Sequence, residues 1–470
     1  MGTRFPIRLW QHHSPDKRRN LPKNAKNRRF SYLFKIPQNG VMEVSMKVVI
    51  MAGGKGTRIA EVNSQVPKPM IPIDGKPILE YQINVLRRQG YQEYILIIGH
   101  LGHIIQDYFG NGSRWNVHIR YITEETPLGT AGALYYLKEE IKEDFLLLNG
   151  DIIFDVDITR FLDSHRRLNT TATILTHPNS HPYDSGIIIA DKNGTVTGWL
   201  HKEDPRRWYK NRVNAGLHML SPDIFRCFPD LQKRDLDRDI LKPLISSREL
   251  GIYDSPEYIK DMGTPDRYCS VAEDIRCHRV EARNLRERQK AIFLDRDGTL
   301  NKYVGFLTDI NELELTEGAA EAVRRINASG YLAIVITNQP VIARGEVSKE
   351  ELSEIHNKLE TLLGQDGAYI DAIYYCPHHP DKGFAGERPQ YKIECDCRKP
   401  RPGMLLQAAD DYNIDLTASW MVGDSDSDIK AGTAAGCKTL LLDGQISLLQ
   451  AIEQILDGGS ATLSSDYERQ

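Results

Sequence analysis

From Val48 onward, short apolar runs alternate with segments of helical period. Val48–Met51, Tyr94–Ile98, His118–Ile122, Phe145–Leu148 and Thr171–Leu175 are rich in β-branched, aliphatic and aromatic residues and read as strands. Pro77–Gln89, Ile104–Tyr108 and Thr130–Glu140 fall between them and read as helices. This βαβ rhythm predicts a mostly parallel sheet covered on both faces. A β-rich stretch follows from Gly186 to Leu220, and the first compact region ends near Tyr268. Residues 271–290 are charged and free of proline, the pattern of a solvated linking helix. A second βα rhythm starts at Ala291, with strands expected at Tyr331–Thr337, Ile370–Tyr375, Trp420–Val422 and Thr439–Leu442. No internal repeat is present.

The pattern therefore predicts an α/β protein of two doubly wound domains, 46–270 and 291–458, joined by a helical linker at 271–290 and ending in a polar tail at 459–470. A chain of 470 residues is too long for one core. Residues 1–45 are rich in Arg, Lys, Asn and Pro and nearly free of acid. They read as a disordered extension, or a misassigned start, upstream of a strand opening at Met46; an Arg-rich targeting arm or an anion-binding tail is the other reading. The net charge of −4 argues against a general nucleic-acid binder. No run approaches the ~20 apolar residues of a membrane span. Seven cysteines in so long a chain point to a reduced, cytoplasmic setting rather than a disulfide framework.

Two phosphate-handling motifs each follow a strand, where open α/β sheets bind ligands. The first is Ala52-Gly53-Gly54-Lys55-Gly56-Thr57-Arg58, followed by Pro67-Lys68-Pro69. Glycines let backbone N–H groups approach phosphate oxygens, and Arg58 offers a two-pronged grip on them. The loop lacks the Gly-Lys-Ser/Thr spacing of a Walker motif. Asp151 ends the apolar run Phe145–Leu148, and Asp261 lies in Asp-Met-Gly-Thr-Pro. Both are candidate Mg²⁺ ligands, since that ion takes one or two carboxylates plus substrate phosphates.

The second motif, Asp295-Arg296-Asp297-Gly298-Thr299, suits phosphate hydrolysis. One carboxylate attacks phosphorus; the other, two residues on, protonates the leaving group and then activates water. Thr337-Asn338 ends a later strand, Arg398-Lys399 supplies cations, and Asp424 follows Trp420–Val422 as a further metal carboxylate. Cys376, His378, Cys395 and Cys397 have the residue types and spacing of a tetrahedral Zn²⁺ site, with His379 a competing ligand. A disulfide is the alternative.

The first motif set, with Pro127-Leu128-Gly129-Thr130-Ala131-Gly132, Asn149-Gly150-Asp151, Asn214-Ala215-Gly216 and Asp261-Met262-Gly263-Thr264-Pro265, resembles the sugar-1-phosphate nucleotidyltransferases over about 46–270. That resemblance implies a Rossmann-like, GT-A-like domain that joins a nucleoside triphosphate to a sugar phosphate. It gives Gly53, Gly54, Gly56, Thr57, Gly129 and Thr130 to the nucleotide, Arg58 to the leaving pyrophosphate and Lys68 to the α-phosphate. It gives Lys202 to the sugar phosphate, Asn214 and Glu125 to the sugar, and Asp151 and Asp261 to Mg²⁺. Leu128-Gly129-Thr130-Ala131 looks most like guanylyl-transferring members, hence GTP. Ile59-Ala60-Glu61 and His201-Lys202-Glu203 depart from the usual pattern.

The second set resembles the haloacid dehalogenase superfamily over 291–445, without a large cap. Asp295 is then the nucleophile and Asp297 the acid/base. Asp295, the Asp297 carbonyl and Asp424 hold Mg²⁺, Thr337 and Lys399 bind the phosphoryl group, and Asn338 and Arg398 are further substrate-binding residues. Cys376-Pro-His378-His379-Pro, Cys395-Asp-Cys397-Arg-Lys-Pro and Ile342-Ala343-Arg344-Gly345 look specifically like the heptose-bisphosphate phosphatases, with histidinol phosphatases as near relatives. Gln339-Pro340-Val341 departs from the usual Ser-Gly after the Gln. The implied reading is a bifunctional enzyme that dephosphorylates D-glycero-D-manno-heptose 1,7-bisphosphate and then transfers a nucleotidyl group, GMP from GTP. A hexose 1-phosphate such as mannose 1-phosphate with a broader phosphatase, and a non-catalytic nucleotide-sugar sensor fused to a phosphatase, are the alternatives. Homo-oligomer formation stays open.

Overall fold

The computed structural model describes residues 46–54 and 65–463, with side chains described as far as Gly458. Residues 1–45, the loop 55–64 with Lys55, Gly56, Thr57 and Arg58, and the extreme tail lie outside the described residues.

The N-terminal lobe is built on a nine-stranded sheet. Its centre is β1 (Val48–Met51), flanked in parallel by β4 (Glu93–Ile98) and β6 (Phe145–Asn149), with β5 (His118–Thr123) beside β4. Leu146, Leu147 and Leu148 of β6 are wholly buried because both faces of this strand are covered. Each such side chain contributes about 1.5–3 kcal/mol relative to exposure. Beyond β6 the sheet turns antiparallel through β11 (Val213–Leu220), which also pairs with β8 (Ala172–His177) and β9 (Ile187–Ala190). β10 (Val196–Leu200) pairs antiparallel with β9, and β12 (Leu250–Asp254) pairs parallel with β8. The sheet is thus mixed rather than mostly parallel, because the Gly186–Leu220 stretch returns as hairpins. Two small pairings, β2 (Pro72–Ile73) with β3 (Lys76–Pro77) and β7 (Ile152–Asp155) with β13 (Tyr258–Asp261), complete the strands of this lobe.

Helices α1 (Ile78–Arg88), α2 (Gly102–Phe109) and α3 (Ile158–Leu168) cover one face. Thr130–Glu140, expected as an α-helix, is a 3-10 turn over Gly132–Leu137. The cause is a backbone partnership: Ala131 N donates to Arg234 O at 3.1 Å and Arg234 N to Leu128 O at 3.0 Å. Gly129 takes φ +80°, and a Cβ there would strike the Arg234 carbonyl, so glycine is required.

Residues 271–290 are not one solvated helix. α4 (Pro265–Arg276) starts behind an N-cap, Thr264, with proline at its first position, and α5 (Arg279–Ala282) follows a break at His278 in left-handed geometry. Val271, Val280 and Leu285 are buried, as are Asp274, Arg283 and Asn284. The join between lobes is therefore packed.

The C-terminal lobe is a five-stranded parallel sheet in the order β16–β15–β14–β17–β18: Ala372–Cys376, Tyr331–Asn338, Lys290–Leu294, Trp420–Gly423 and Lys438–Leu441. α6 (Ala319–Asn327), α8 (Lys349–Gln365) and α11 (Leu448–Leu463) cover one face. α9 (Gly403–Tyr412) and α10 (Asp426–Ala435) cover the other. A single turn, α7 (Val341–Arg344), follows β15. Among the described residues no helix is long and apolar enough to cross a membrane.

Candidate active sites

In the N-terminal lobe β1 ends at Met51, and Gly53 is packed so closely that a Cβ would meet the Glu124 carboxylate and the Gly99 backbone. β6 ends beside it, delivering Asn149, Gly150 and Asp151. Asp151 Oδ2 accepts from Lys68 Nζ at 2.5 Å, joining two sequence-predicted groups 83 residues apart. β13 pairs with β7, so Asp261 comes alongside: Met262 N donates to Asp151 O at 3.1 Å. Arg267 grips both Asp261 oxygens at 2.9 and 2.8 Å, and Gly263 N adds a third bond at 2.8 Å. Burial works against this carboxylate, but Arg267 outweighs it and holds the pKa below the ordinary value.

A cavity of about 720 Å³ adjoins these residues, lined among others by Thr130, Asn214, His181, His201, Asp237 and Asp261. Thr130 Oγ1 accepts from Leu236 N at 2.7 Å. Asn214 Oδ1 accepts from Gly216 N at 3.1 Å, and its Nδ2 donates to Asp237 Oδ1 at 3.2 Å. Asp237 was not singled out from sequence. Burial, with Asp235 adding to it, raises its pKa to about 6. Its only sequence signal is a place in the acidic run Asp235–Asp239. Glu125 and Lys202 are exposed and do not line this cavity; the half-buried neighbour Glu124 turns inward and accepts from Leu128 N at 3.2 Å.

In the C-terminal lobe the strand ends converge as expected. Asp295 follows β14, Thr337-Asn338 ends β15, and Asp424 follows β17. They line a cavity of about 340 Å³ with Asp297, Arg398 and Lys399. Lys399 Nζ stands 2.7 Å from Asp295 Oδ1, 2.6 Å from Asp428 Oδ1 and 2.8 Å from Ile336 O. Burial opposes this ammonium, but the two carboxylates outweigh it and raise its pKa. Asp295 moves upward too: burial dominates, Lys399 opposes it and Asp428 adds to it. Asn338 holds the Lys399 backbone at both ends, Nδ2 to O at 3.1 Å and Oδ1 from N at 3.0 Å.

Asp297 is clamped. Arg296 Nη2 donates to its two oxygens at 2.8 and 2.7 Å, and Gln339 Nε2 donates at 2.9 Å. Arg296 is fully buried and donates from Nη1 to His356 Nε2 at 3.3 Å. Burial, then the Arg296 charge, hold His356 well below the ordinary imidazole value, so it stays neutral. A Cβ on Gly298 would drive into the Asp424 carboxylate. Asp295, Asp424 and Asp428 offer ligand atoms all within 4.8 Å of one another. Sequence alone gives Arg296, Gln339, His356 and Asp428 no role, since their parts depend on burial and on distant partners.

Cys376, His378, Cys395 and Cys397 also fall within 4.8 Å of one another. Sulfur–sulfur separations are 3.5, 3.2 and 3.2 Å, and His378 Nδ1 is 3.3 Å from Cys397 Sγ. Disulfide bonding needs about 2.05 Å; tetrahedral Zn²⁺ with Zn–S near 2.3 Å puts sulfurs about 3.8 Å apart. The four donors thus outline a slightly contracted tetrahedron. His379 stands aside, its Nδ1 accepting from Asp381 N at 3.2 Å.

A Nucleotidyl transferase family model matches residues 47–277, and a HAD-hydrolase-like model matches residues 396–455. The D-glycero-beta-D-manno-heptose-1,7-bisphosphate 7-phosphatase of Pasteurella multocida is 41% identical over 179 residues, covering 36% of this chain and 94% of that protein. The chain belongs to this phosphatase family, and it carries a nucleotidyl transferase domain fused ahead of it. The D-glycero-alpha-D-manno-heptose-1,7-bisphosphate 7-phosphatase of Burkholderia mallei is also 41% identical, over 155 residues, covering 33% of this chain and 80% of that protein. Among solved structures, HddC from Yersinia pseudotuberculosis complexed with GMP-PN is 27% identical and covers 49% of this chain and 99% of that one, with a TM-score of 0.43.

Proposed function

We propose that the chain catalyses two consecutive steps of nucleotide-sugar synthesis in a cytoplasmic setting. The C-terminal lobe removes the 7-phosphate of D-glycero-D-manno-heptose 1,7-bisphosphate. The N-terminal lobe joins the heptose 1-phosphate to GMP from GTP. The carrying observation is the Asp295–Lys399–Asp428 cluster at converging strand ends, within a lobe 41% identical to heptose-bisphosphate phosphatases.

Asp295 attacks phosphorus while the bond to the sugar oxygen breaks, giving an aspartyl phosphate. Asp297 donates its proton to the leaving oxygen, then takes one from the water that attacks the aspartyl phosphate and frees inorganic phosphate. Thr337, Asn338, Arg398 and Lys399 bind and neutralise the phosphoryl oxygens. Asp295, the Asp297 carbonyl and Asp424 would hold Mg²⁺, and the converging carboxylates suit that cation. When bound, it supplies positive charge against the phosphoryl group. In the other lobe a sugar-phosphate oxygen attacks the α-phosphorus and the bond to the β-phosphate breaks. Lys68 stabilises the α-phosphate there, Arg58 the departing pyrophosphate, and Asp151 and Asp261 would hold the ion. The Cys376–His378–Cys395–Cys397 donors suit a structural Zn²⁺ that fixes the loop leading directly into Arg398-Lys399.

The test supplies Mg²⁺, each nucleoside triphosphate, and either anomer of the bisphosphate, since relatives named for both stand at 41% identity. Products are identified by mass. Expected are inorganic phosphate, pyrophosphate and a GDP-heptose. Asp295→Asn should stop phosphate release and spare transfer to supplied heptose 1-phosphate; Asp151→Ala should do the reverse. Mannose 1-phosphate turned over faster than heptose 1-phosphate would overturn the sugar assignment.

A further inference from the structure

The loops that wall the transferase cavity are fastened to the other lobe. Asn179, Ser180, His181, Ser185 and His201 line that cavity, and residues 201–212 form the loop that carries Lys202. Both loops meet one helix of the phosphatase lobe, α8. Glu360 Oε2 accepts from Asn211 N at 3.1 Å and from Arg212 Nη1 at 3.2 Å. Thr361 Oγ1 accepts from Tyr209 N at 3.0 Å; its single proton goes to Asn357 O at 2.7 Å within α8, with Tyr209 O a second acceptor at 3.2 Å. Pro182 packs on α8 where a Cβ at Gly364 would stand 2.7 Å from Pro182 Cγ, so the helix has no side chain there.

The two loops are also tied to each other at this place. Asn211 Nδ2 donates to Asn179 O at 2.7 Å, and Asn179 N donates to Asn211 Oδ1 at 3.1 Å. Asn179 Nδ2 continues to Ser185 Oγ at 3.2 Å. A hydrogen-bonded path therefore runs from Glu360 through Asn211 and Asn179 to Ser185, with Asn214 three residues further along β11. Arg212, Asn211, Glu360 and Thr361 are all buried. Buried polar groups left without partners are costly, so these contacts hold their loops in one arrangement.

We infer that Glu360 and Thr361, which belong to the phosphatase lobe, are positioning residues for the transferase: they set the acceptor side of its cavity, where the sugar phosphate binds. The inference rests on the proposed transferase reading. It also gives the fusion a physical role beyond proximity, because one enzyme lends a wall to the other.

Two variants test it, Glu360→Gln and Thr361→Val, each close to the native shape. Steady-state kinetics of transfer would be measured against heptose 1-phosphate and against GTP, with phosphate release from the bisphosphate as the folding control. Losing one of these buried hydrogen bonds and leaving its partner unsatisfied corresponds to roughly tenfold, so the KM for the sugar phosphate should rise by about that factor. The KM for GTP and the phosphatase kcat should stay within about twofold of the parent, as for sites outside a mutated contact. Amide hydrogen exchange in residues 178–186 and 201–212 should quicken in both variants. Unchanged sugar-phosphate KM, equal rises for both substrates, or unchanged exchange in those loops would each overturn the inference. Wild-type protein that transfers to no sugar phosphate would refute the transferase reading instead. The exchange result would still report on the brace.

Discussion

Asp428 and Lys399 form a buried pair, Oδ1 to Nζ at 2.6 Å, and that pair decides how firmly Lys399 holds Asp295. Asp428 is wholly buried at the third position of α10. Its other oxygen accepts from Ser425 N at 3.1 Å and Ser425 Oγ at 2.7 Å in a capping box. The helix cap thus fixes the carboxylate, and the carboxylate shares the ammonium with the proposed nucleophile.

The first prediction follows from that sharing. Asp428→Asn keeps the shape and removes the competing charge. Lys399 would then turn wholly to Asp295 and lose the orientation needed to meet an incoming phosphoryl group. Phosphate release should fall by about 10²-fold, the usual scale for losing one preorganised electrostatic contact. Pyrophosphate release from the other lobe should not change. A variant with parental phosphate release would reduce Asp428 to a helix cap.

The second prediction concerns the cysteine cluster. Burial, with the neighbouring thiols, raises the pKa of Cys376 and Cys397, an arrangement that a bound dication reverses. Cys397 is followed immediately by Arg398, whose Nη1 donates to His378 O at 3.2 Å. A loosened cluster therefore loosens the cations of the phosphatase site. Metal analysis should find about one tightly held Zn²⁺ per chain, as for structural sites. Cys397→Ser should lower zinc content and phosphate release together and leave transfer alone. Full phosphatase activity in zinc-free protein would contradict this.

Much of this arrangement was legible because strand ends carry chemistry in open α/β sheets. Apolar runs located β1, β6, β14, β15 and β17, so Asp151, Asp295, Thr337 and Asp424 could be named from what followed each run. Lys399 was legible from its neighbours and motif. The missed groups act through burial and distant partners. Arg296 looks like a surface arginine between two aspartates, yet it is wholly buried and tied to His356, 60 residues away. Glu360 lies in a charged helix and gave no sign of a partner in another lobe. The helix expected at 130–140 failed for the same reason: its backbone bonds to Arg234, a partnership that local period does not encode. Charge along 271–290 suggested a solvated helix, but Arg283 reaches Asp371 at 3.3 Å and Asn284 reaches Asp155 at 2.7 Å, both buried.

The last prediction comes from that packed join. Glu257 Oε1 accepts from Asp157 N at 2.8 Å and Leu285 N at 2.9 Å, and its Oε2 accepts from Ser255 Oγ at 2.8 Å. Burial raises its pKa to about 7 despite those bonds, with Asp157 adding to the rise. A carboxyl whose folded pKa lies above its unfolded one favours the fold below the unfolded value, near 4.5, and loses that contribution as pH climbs through about 7. The group is neutral in the fold at low pH, so burial then costs little. At higher pH it must be buried as an anion. The full swing is at most about 3 kcal/mol, from 1.36 kcal/mol per pKa unit. Glu257→Gln resembles the neutral form at every pH. Its melting temperature should match the parent near pH 4 and exceed it at pH 8, with the gap opening between about pH 4.5 and 7. A gap of constant size across that range would mean that Glu257 keeps one charge state throughout.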